Sequence, residues 1–98
     1  MTKESAIHAL QELQPEIAAR GVTGLYMFGS QVRGQAGEAS DIDLFVDYDD
    51  ESRFSLLDLV AVGRLIEEHL GIKADVMTRK GLHPILKENI EAEAVRVF

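Results

Sequence analysis

The sequence has no cysteine and no tryptophan, and it contains only two prolines. The lack of cysteine excludes disulfide bonds and thiolate metal sites, so any bound metal must have oxygen or imidazole ligands. It also fits a reducing compartment, and we expect the chain to be cytoplasmic. No apolar run approaches the roughly 18 residues that a membrane span requires, so we expect no contact with a membrane.

Basic residues are also scarce. Ten lysines and arginines stand against 17 acidic residues, and the formal net charge is −7. Proteins that bind nucleic acid normally carry a basic surface, because neutralised phosphates supply most of the affinity. The composition therefore argues against direct binding of nucleic acid.

The pattern of apolar residues predicts one domain over residues 1–98, without a linker or a repeat. Helical spacing predicts helices over about residues 3–20, 55–70 and 84–93. Pro15 interrupts the first helix, so we expect a kink or a second short helix with Pro15 in its first turn. Compact or alternating apolar runs predict strands over about residues 22–28, 41–48, 73–78 and 94–98. This order predicts an α/β (α+β) fold in which helices flank a small mixed β-sheet.

A glycine–serine pair, Gly29 and Ser30, ends the first predicted strand. Ser30 is a good N-cap, so we expect one helical turn that Gly34 closes. Such a turn leaves backbone N–H groups pointing into solvent, and with the serine hydroxyl they form an anion site suited to a triphosphate. Arg33, one turn on, adds a permanent positive charge near the same phosphates. The residues after Gly34, up to residue 40, have the composition of a loop.

Two aspartates, Asp41 and Asp43, stand two residues apart in the second predicted strand. Alternate residues of a strand project from the same face, so the two carboxylates are expected to lie side by side and to repel each other. A divalent cation would offset this repulsion, and carboxylate oxygens suit Mg²⁺ or, alternatively, Mn²⁺.

Asp75, in the third predicted strand, is the third candidate carboxylate. If this strand lies beside the second, Asp75 can join Asp41 and Asp43 at one rim of the sheet. Three convergent oxygen donors predict a one- or two-metal site for in-line displacement at phosphorus. Each feature alone has an ordinary structural explanation, such as a surface carboxylate or a simple turn, and only their combined order and spacing favours a catalytic site.

The combined motif resembles a known signature. Residues 28–34 (Phe-Gly-Ser-Gln-Val-Arg-Gly), followed by residues 40–44 (Ser-Asp-Ile-Asp-Leu), resemble the signature of the DNA polymerase β-type nucleotidyltransferase superfamily. The arginine–glycine pair after the glycine–serine pair is similar to the minimal nucleotidyltransferases of prokaryotes. Val32 departs from this pattern mildly, since it stands where the family often has alanine. The resemblance extends from Pro15 to Phe98 and implies a polymerase β-like nucleotidyltransferase fold.

The resemblance also implies a role for each carboxylate. Asp41 and Asp43 would bind the magnesium ions that bridge the triphosphate of ATP, the expected donor. Asp75 would complete the first metal site and help to deprotonate the acceptor hydroxyl. All three are therefore expected to be both metal ligands and catalytic residues.

The same resemblance assigns the nucleotide-binding residues. Gly29 and Ser30 would hold the β- and γ-phosphates, and Arg33 would contact the phosphates as well. The reaction would move a nucleoside monophosphate from the triphosphate onto an acceptor hydroxyl.

The acceptor implied by the resemblance is another protein. Minimal nucleotidyltransferases often accompany a HEPN-type ribonuclease toxin as its antitoxin, and some add AMP to a tyrosine of that toxin. The acidic charge of this chain would attract a cationic RNA-cleaving partner, so we expect a hetero-oligomer with the toxin. Two alternatives remain: a non-catalytic antitoxin that acts by binding alone, and a nucleotidyltransferase that modifies a small molecule.

Overall fold

The chain forms a mixed β-sheet with helices on both faces in the computed structural model, which describes residues 2–34 and 41–98. The sheet of this described part has four strands in the order β3-β2-β1-β4. The strands are β1 (Val22–Phe28), β2 (Ile42–Tyr48), β3 (Ala74–Thr78) and β4 (Val95–Arg96). Strand β1 pairs antiparallel with β2 and β4, whereas β2 and β3 are parallel.

The helices account for the apolar periodicity of the sequence. They are α1 (Lys3–Gln11), α2 (Gln14–Ala18), α3 (Ser30–Arg33), α4 (Leu56–Leu70) and α5 (Pro84–Glu93), and a 3₁₀ turn spans Arg79–Gly81. Within residues 2–34 and 41–98, no helix combines the length and apolar character needed to cross a bilayer.

Alternation along the strands divides the apolar side chains between two clusters. Leu44 and Val46 of β2 face the larger cluster, which buries residues of α1, α2 and α4. Phe45, between them, faces a smaller cluster that includes Phe28 and Leu82 and against which Ile90 of α5 packs. Helix α5 therefore lies on the opposite face of the sheet from α1 and α4, and residue 43 must also point toward the α5 face.

The predicted elements agree with the structure apart from small shifts. Pro15 lies in the first turn of a second short helix, as predicted, and the strand predicted from residue 41 begins one residue later. The prediction that Ser30 is an N-cap is wrong. Gly29 holds that position with a φ of 80°, and Ser30 is the first helical residue. Gly34 closes α3 in the left-handed conformation, as predicted, whereas the rest of the loop predicted up to residue 40 lies outside the described residues.

An arginine joins α5 to the sheet. Arg79 donates from Nε and Nη2 to the two carboxylate oxygens of Asp47 at 2.7 and 3.0 Å, and from Nη1 to Glu91 at 2.5 Å. Its guanidinium lies 4.8 Å from the ring centroid of Tyr26 and 4.9 Å from that of Phe45. These contacts link β2, the end of β3 and α5, so Arg79 stabilises the packing of α5 on this face.

The arrangement around Arg79 predicts a loss of stability in Arg79→Lys. Lysine keeps the charge but lacks the planar fork that binds Asp47 and stacks on the rings, so the free energy of unfolding is expected to fall by about 1–2 kcal/mol. Urea denaturation measures this change. The control is Lys80→Met at the next residue, whose ion pair with Asp50 is exposed and whose loss is expected to leave the midpoint unchanged. Equal midpoints for native and Arg79→Lys chains would contradict the role given to Arg79.

Candidate active site

Two of the predicted carboxylates occupy paired positions on neighbouring strands. Asp43 of β2 and Asp75 of β3 are register partners in the parallel pairing, and paired residues of adjacent strands project from the same face. Asp43 is half-buried, whereas Asp75 is exposed. Asp41 is exposed and lies just before β2. The structure thus brings Asp43 and Asp75 together on the α5 face and leaves Asp41 at the entry to the same strand.

Negative charge accumulates around Asp43. Burial raises the pKa of its carboxyl group, and the charges of Asp75 and then Asp41 raise that pKa further. The guanidinium of Arg33 opposes this increase, whereas the carboxylate of Glu93 adds to it. Ionised Asp43 is therefore disfavoured by its surroundings, and a cation placed among these carboxylates would be attracted by all of them.

The carboxylates are not already arranged as a ligand cluster. In the described ranges, 2–34 and 41–98, no three acidic or histidine side chains converge closely enough to hold a metal ion. The strand register brings the backbones of residues 43 and 75 together, and the charge of Asp75 raises the pKa of Asp43. The convergence of Asp41, Asp43 and Asp75 on one metal ion stays a prediction.

The glycine–serine turn lies directly against Asp43. Phe28, the last residue of β1, is the register partner of Asp43, so the chain turns beside this carboxylate. Gly29 is buried and has a φ of 80°. A Cβ atom at this position would lie 2.4 Å from Oδ2 of Asp43. Glycine is therefore required here for two reasons: the backbone conformation and the closeness of the carboxylate.

A carboxylate that the sequence did not single out also contacts this turn. The N–H of Gly29 donates to Oε1 of Glu93 at 2.9 Å. Nη1 of Arg33 donates to both carboxylate oxygens of Glu93, each at 3.1 Å. The N–H of Gly29, expected to face solvent, is thus bonded within the protein. One signal could have drawn attention to Glu93: it is the last residue of α5, where the helix dipole disfavours negative charge.

The two parts of the predicted site, the glycine–serine turn and the carboxylates, lie side by side in the structure. Gly29 and Ser30 lie at the end of β1 and the start of α3, beside Asp43 on β2, while Arg33 completes α3. Asp43 and Asp75 are the carboxylates best placed to hold a cation. A turn that carries a serine hydroxyl and an arginine, next to paired carboxylates, can bind a polyphosphate together with its cation.

Comparison with solved structures identifies the same fold elsewhere. A structure described as a proposed minimal nucleotidyltransferase superposes with a TM-score of 0.79 at 33% sequence identity, covering 97% of this chain and 95% of that chain. A chain in the structure of a tri-AMPylated HEPN toxin in complex with MNT antitoxin, from Shewanella oneidensis, gives a TM-score of 0.71 at 13% identity. That match covers 99% of this chain and 72% of the other, and at such low identity it shows a shared fold alone.

Comparison of sequences identifies the family. Residues 4–97 match the family described as nucleotidyltransferase domain. A protein of Methanocaldococcus jannaschii, named as a proposed protein adenylyltransferase, is 40% identical over 88 residues, which cover 90% of this chain and 92% of that protein. The protein adenylyltransferase MntA of Thermococcus cleftensis is 32% identical over 98 residues, covering 99% of this chain and 97% of the relative. The chain therefore belongs to the nucleotidyltransferase domain family, and it is a nucleotidyltransferase enzyme.

Proposed function

We propose that this nucleotidyltransferase moves AMP from ATP to a tyrosine hydroxyl of a HEPN-type ribonuclease toxin and acts as its antitoxin. The observation that carries the proposal is the register pairing of Asp43 with Asp75 beside the turn at Gly29. Relatives named as protein adenylyltransferases support a protein as the acceptor. The shared fold with a chain of a complex between a HEPN toxin and MNT antitoxin is consistent with this class of partner.

The residues of the site fit a divalent metal ion. Burial and mutual repulsion disfavour the ionised form of Asp43 in the protein alone, and a cation relieves both effects. Asp41, Asp43 and Asp75 would hold Mg²⁺, or Mn²⁺ as the alternative, since hard cations prefer carboxylate oxygens. When bound, the metal would supply positive charge that neutralises the triphosphate of ATP.

Side chains and the backbone of the protein would accept the proton and orient the phosphates. In the reaction the tyrosine oxygen bonds to the α-phosphorus of ATP, the bond to the β-phosphate oxygen breaks, and pyrophosphate leaves. A tyrosine hydroxyl has a pKa of about 10 and must lose its proton. Asp75 is exposed at the sheet rim, where its carboxylate can accept that proton. Gly29, Ser30 and Arg33 would orient the leaving phosphates.

The charge of the chain suits such a partner. With a formal net charge of −7, the protein attracts a cationic surface, and an RNA-cleaving enzyme needs positive charge to bind phosphates. An AMP group near the ribonuclease site would add negative charge and volume where RNA phosphates must lie. Modification would therefore block the cleavage of RNA. The two proteins would form a hetero-oligomer before the AMP group is transferred.

The test is the mass of the partner after co-expression with this chain. Intact-mass spectrometry is expected to show an increase by whole AMP units in the ribonuclease, with the added groups on tyrosine. The matched control is Asp41→Asn, which is expected to leave the partner unmodified because it removes a proposed metal ligand. A partner that is inhibited without any gain in mass would reject catalysis and indicate neutralisation by binding alone.

A further inference from the structure

Glu93 connects the last turn of α5 with both ends of α3. Gly29, whose N–H it accepts, is the N-cap of α3, and Arg33 is the last residue of that helix. The side chain of Glu93 is 29% exposed, so its contacts are partly shielded from water and from salt. One carboxylate therefore fixes the turn and its arginine relative to α5.

Two properties of this position disfavour an acidic residue. As the last residue of α5, Glu93 meets the negative end of the helix dipole. Its negative charge also acts on the nearby carboxyl group of Asp43. A neutral side chain would avoid both effects, so the contacts of Glu93 with Gly29 and Arg33 must offset them.

The arginine lies between competing carboxylates. Arg33 interacts electrostatically with Asp43 and is held by both oxygens of Glu93. Without the charge of Glu93, the attraction of the guanidinium to the carboxylate of Asp43 would lose a competitor. An arginine held by that carboxylate would compete with a metal ion and would no longer face the phosphates.

We infer that Glu93 is a positioning residue for nucleotidyl transfer, which holds the turn at Gly29 and the guanidinium of Arg33 in the arrangement that receives the triphosphate. This inference rests on the proposed role of the turn and of Arg33 in phosphate binding. Glu93 acts through these two residues, because its own negative charge repels phosphate.

The test compares Glu93→Gln with the native chain. Glutamine keeps the shape and an oxygen that can accept the N–H of Gly29, but it loses the charge that holds Arg33. The dissociation constant for Mg²⁺ and a non-hydrolysable ATP analogue, measured by titration calorimetry, is expected to rise about tenfold. The KM for ATP is expected to rise similarly with little change in kcat, because the catalytic carboxylates remain.

Glu91→Gln is the matched control. Glu91 lies on the same helix, is similarly exposed at 32%, and also pairs with an arginine. That arginine, Arg79, stands away from the turn beside Asp47. Glu91→Gln is expected to lower stability while leaving the affinity for the nucleotide unchanged, which separates a general effect of a lost ion pair from positioning.

Coupling to Arg33 provides a second readout. If Glu93 acts through Arg33, the effect of Glu93→Gln on affinity is expected to shrink in an Arg33→Gln background. Additive effects in the double variant would overturn the inference, as would native affinity in Glu93→Gln. A native chain that binds no nucleotide in the presence of Mg²⁺ would overturn the proposed function together with the inference.

Discussion

Asp43→Asn is expected to lower the rate of nucleotidyl transfer about a thousandfold, because Asp43 is a proposed metal ligand and such a ligand contributes several kcal/mol of charge stabilisation in the transition state. Asparagine has almost the same shape as aspartate but carries no charge for a cation. Transfer from labelled ATP, measured at saturating Mg²⁺ and partner, gives the rate. The control is Asp50→Asn, which removes the same charge from an exposed pair with Lys80 and is expected to transfer at the native rate.

The same variant is expected to be more stable than the native chain when a chelator removes divalent cations. The pKa of Asp43 is raised above 3.8 in the folded protein, so ionisation of this group destabilises the fold as the pH rises through its folded value. The greater stability of Asp43→Asn is therefore expected at pH 7, and the difference from the native chain should disappear as the pH falls below 3.8. Urea denaturation at both pH values measures it. In the transfer assay, a native rate for Asp43→Asn would show that Asp43 does not belong to the active site.

Gly29→Ala is expected to be both less stable and much less active than the native chain. The new Cβ would approach Oδ2 of Asp43 at 2.4 Å, and the φ of 80° is unfavourable for alanine. The backbone conformation alone costs about 1–3 kcal/mol, and relief of the contact must displace either the turn or Asp43. Either movement disturbs the site, so we expect transfer to fall at least about a hundredfold.

Gly71→Ala is the control that separates the effect of the backbone conformation from the effect of the contact with Asp43. Gly71 has a φ of 73° but has open space around the added Cβ, and it closes α4 away from the carboxylates. This control is expected to lose about 1 kcal/mol of stability through its backbone alone and to keep full transfer activity. Thermal denaturation and the transfer assay of both variants make the comparison. If Gly29→Ala behaves like Gly71→Ala in both measurements, the contact with Asp43 is unimportant.

Local patterns predicted much of the sheet and its helices. The mostly alternating pattern of polar and apolar residues predicted a strand over about residues 41–48, and the structure has β2 at Ile42–Tyr48. The meeting of Asp43 with Asp75 needed one further condition, that β3 lies beside β2, and the structure confirms that condition. The family and the nucleotidyltransferase activity followed from the motif around Gly29 and Asp43, and both are confirmed.

Features that depend on contacts between distant segments could not be predicted. Glu93 reaches Gly29 across 64 residues, and no periodicity specifies which turn the end of α5 will approach. Gly29 is the N-cap instead of the predicted Ser30, because the chain must turn sharply beside Asp43. That turn is a tertiary constraint.

The parallel pairing of β2 with β3 has a consequence for the order of folding. Strands β1 and β2 can pair early as neighbours in sequence, but parallel β3 can join only after α4 has crossed over the sheet. Glu93 reaches its position later still, when α5 packs on the sheet. A nascent chain that ends before α5 would therefore contain every predicted site residue but would lack the carboxylate of Glu93 that pairs with Arg33, so the positioning proposed for Glu93 requires that α5 has packed on the sheet.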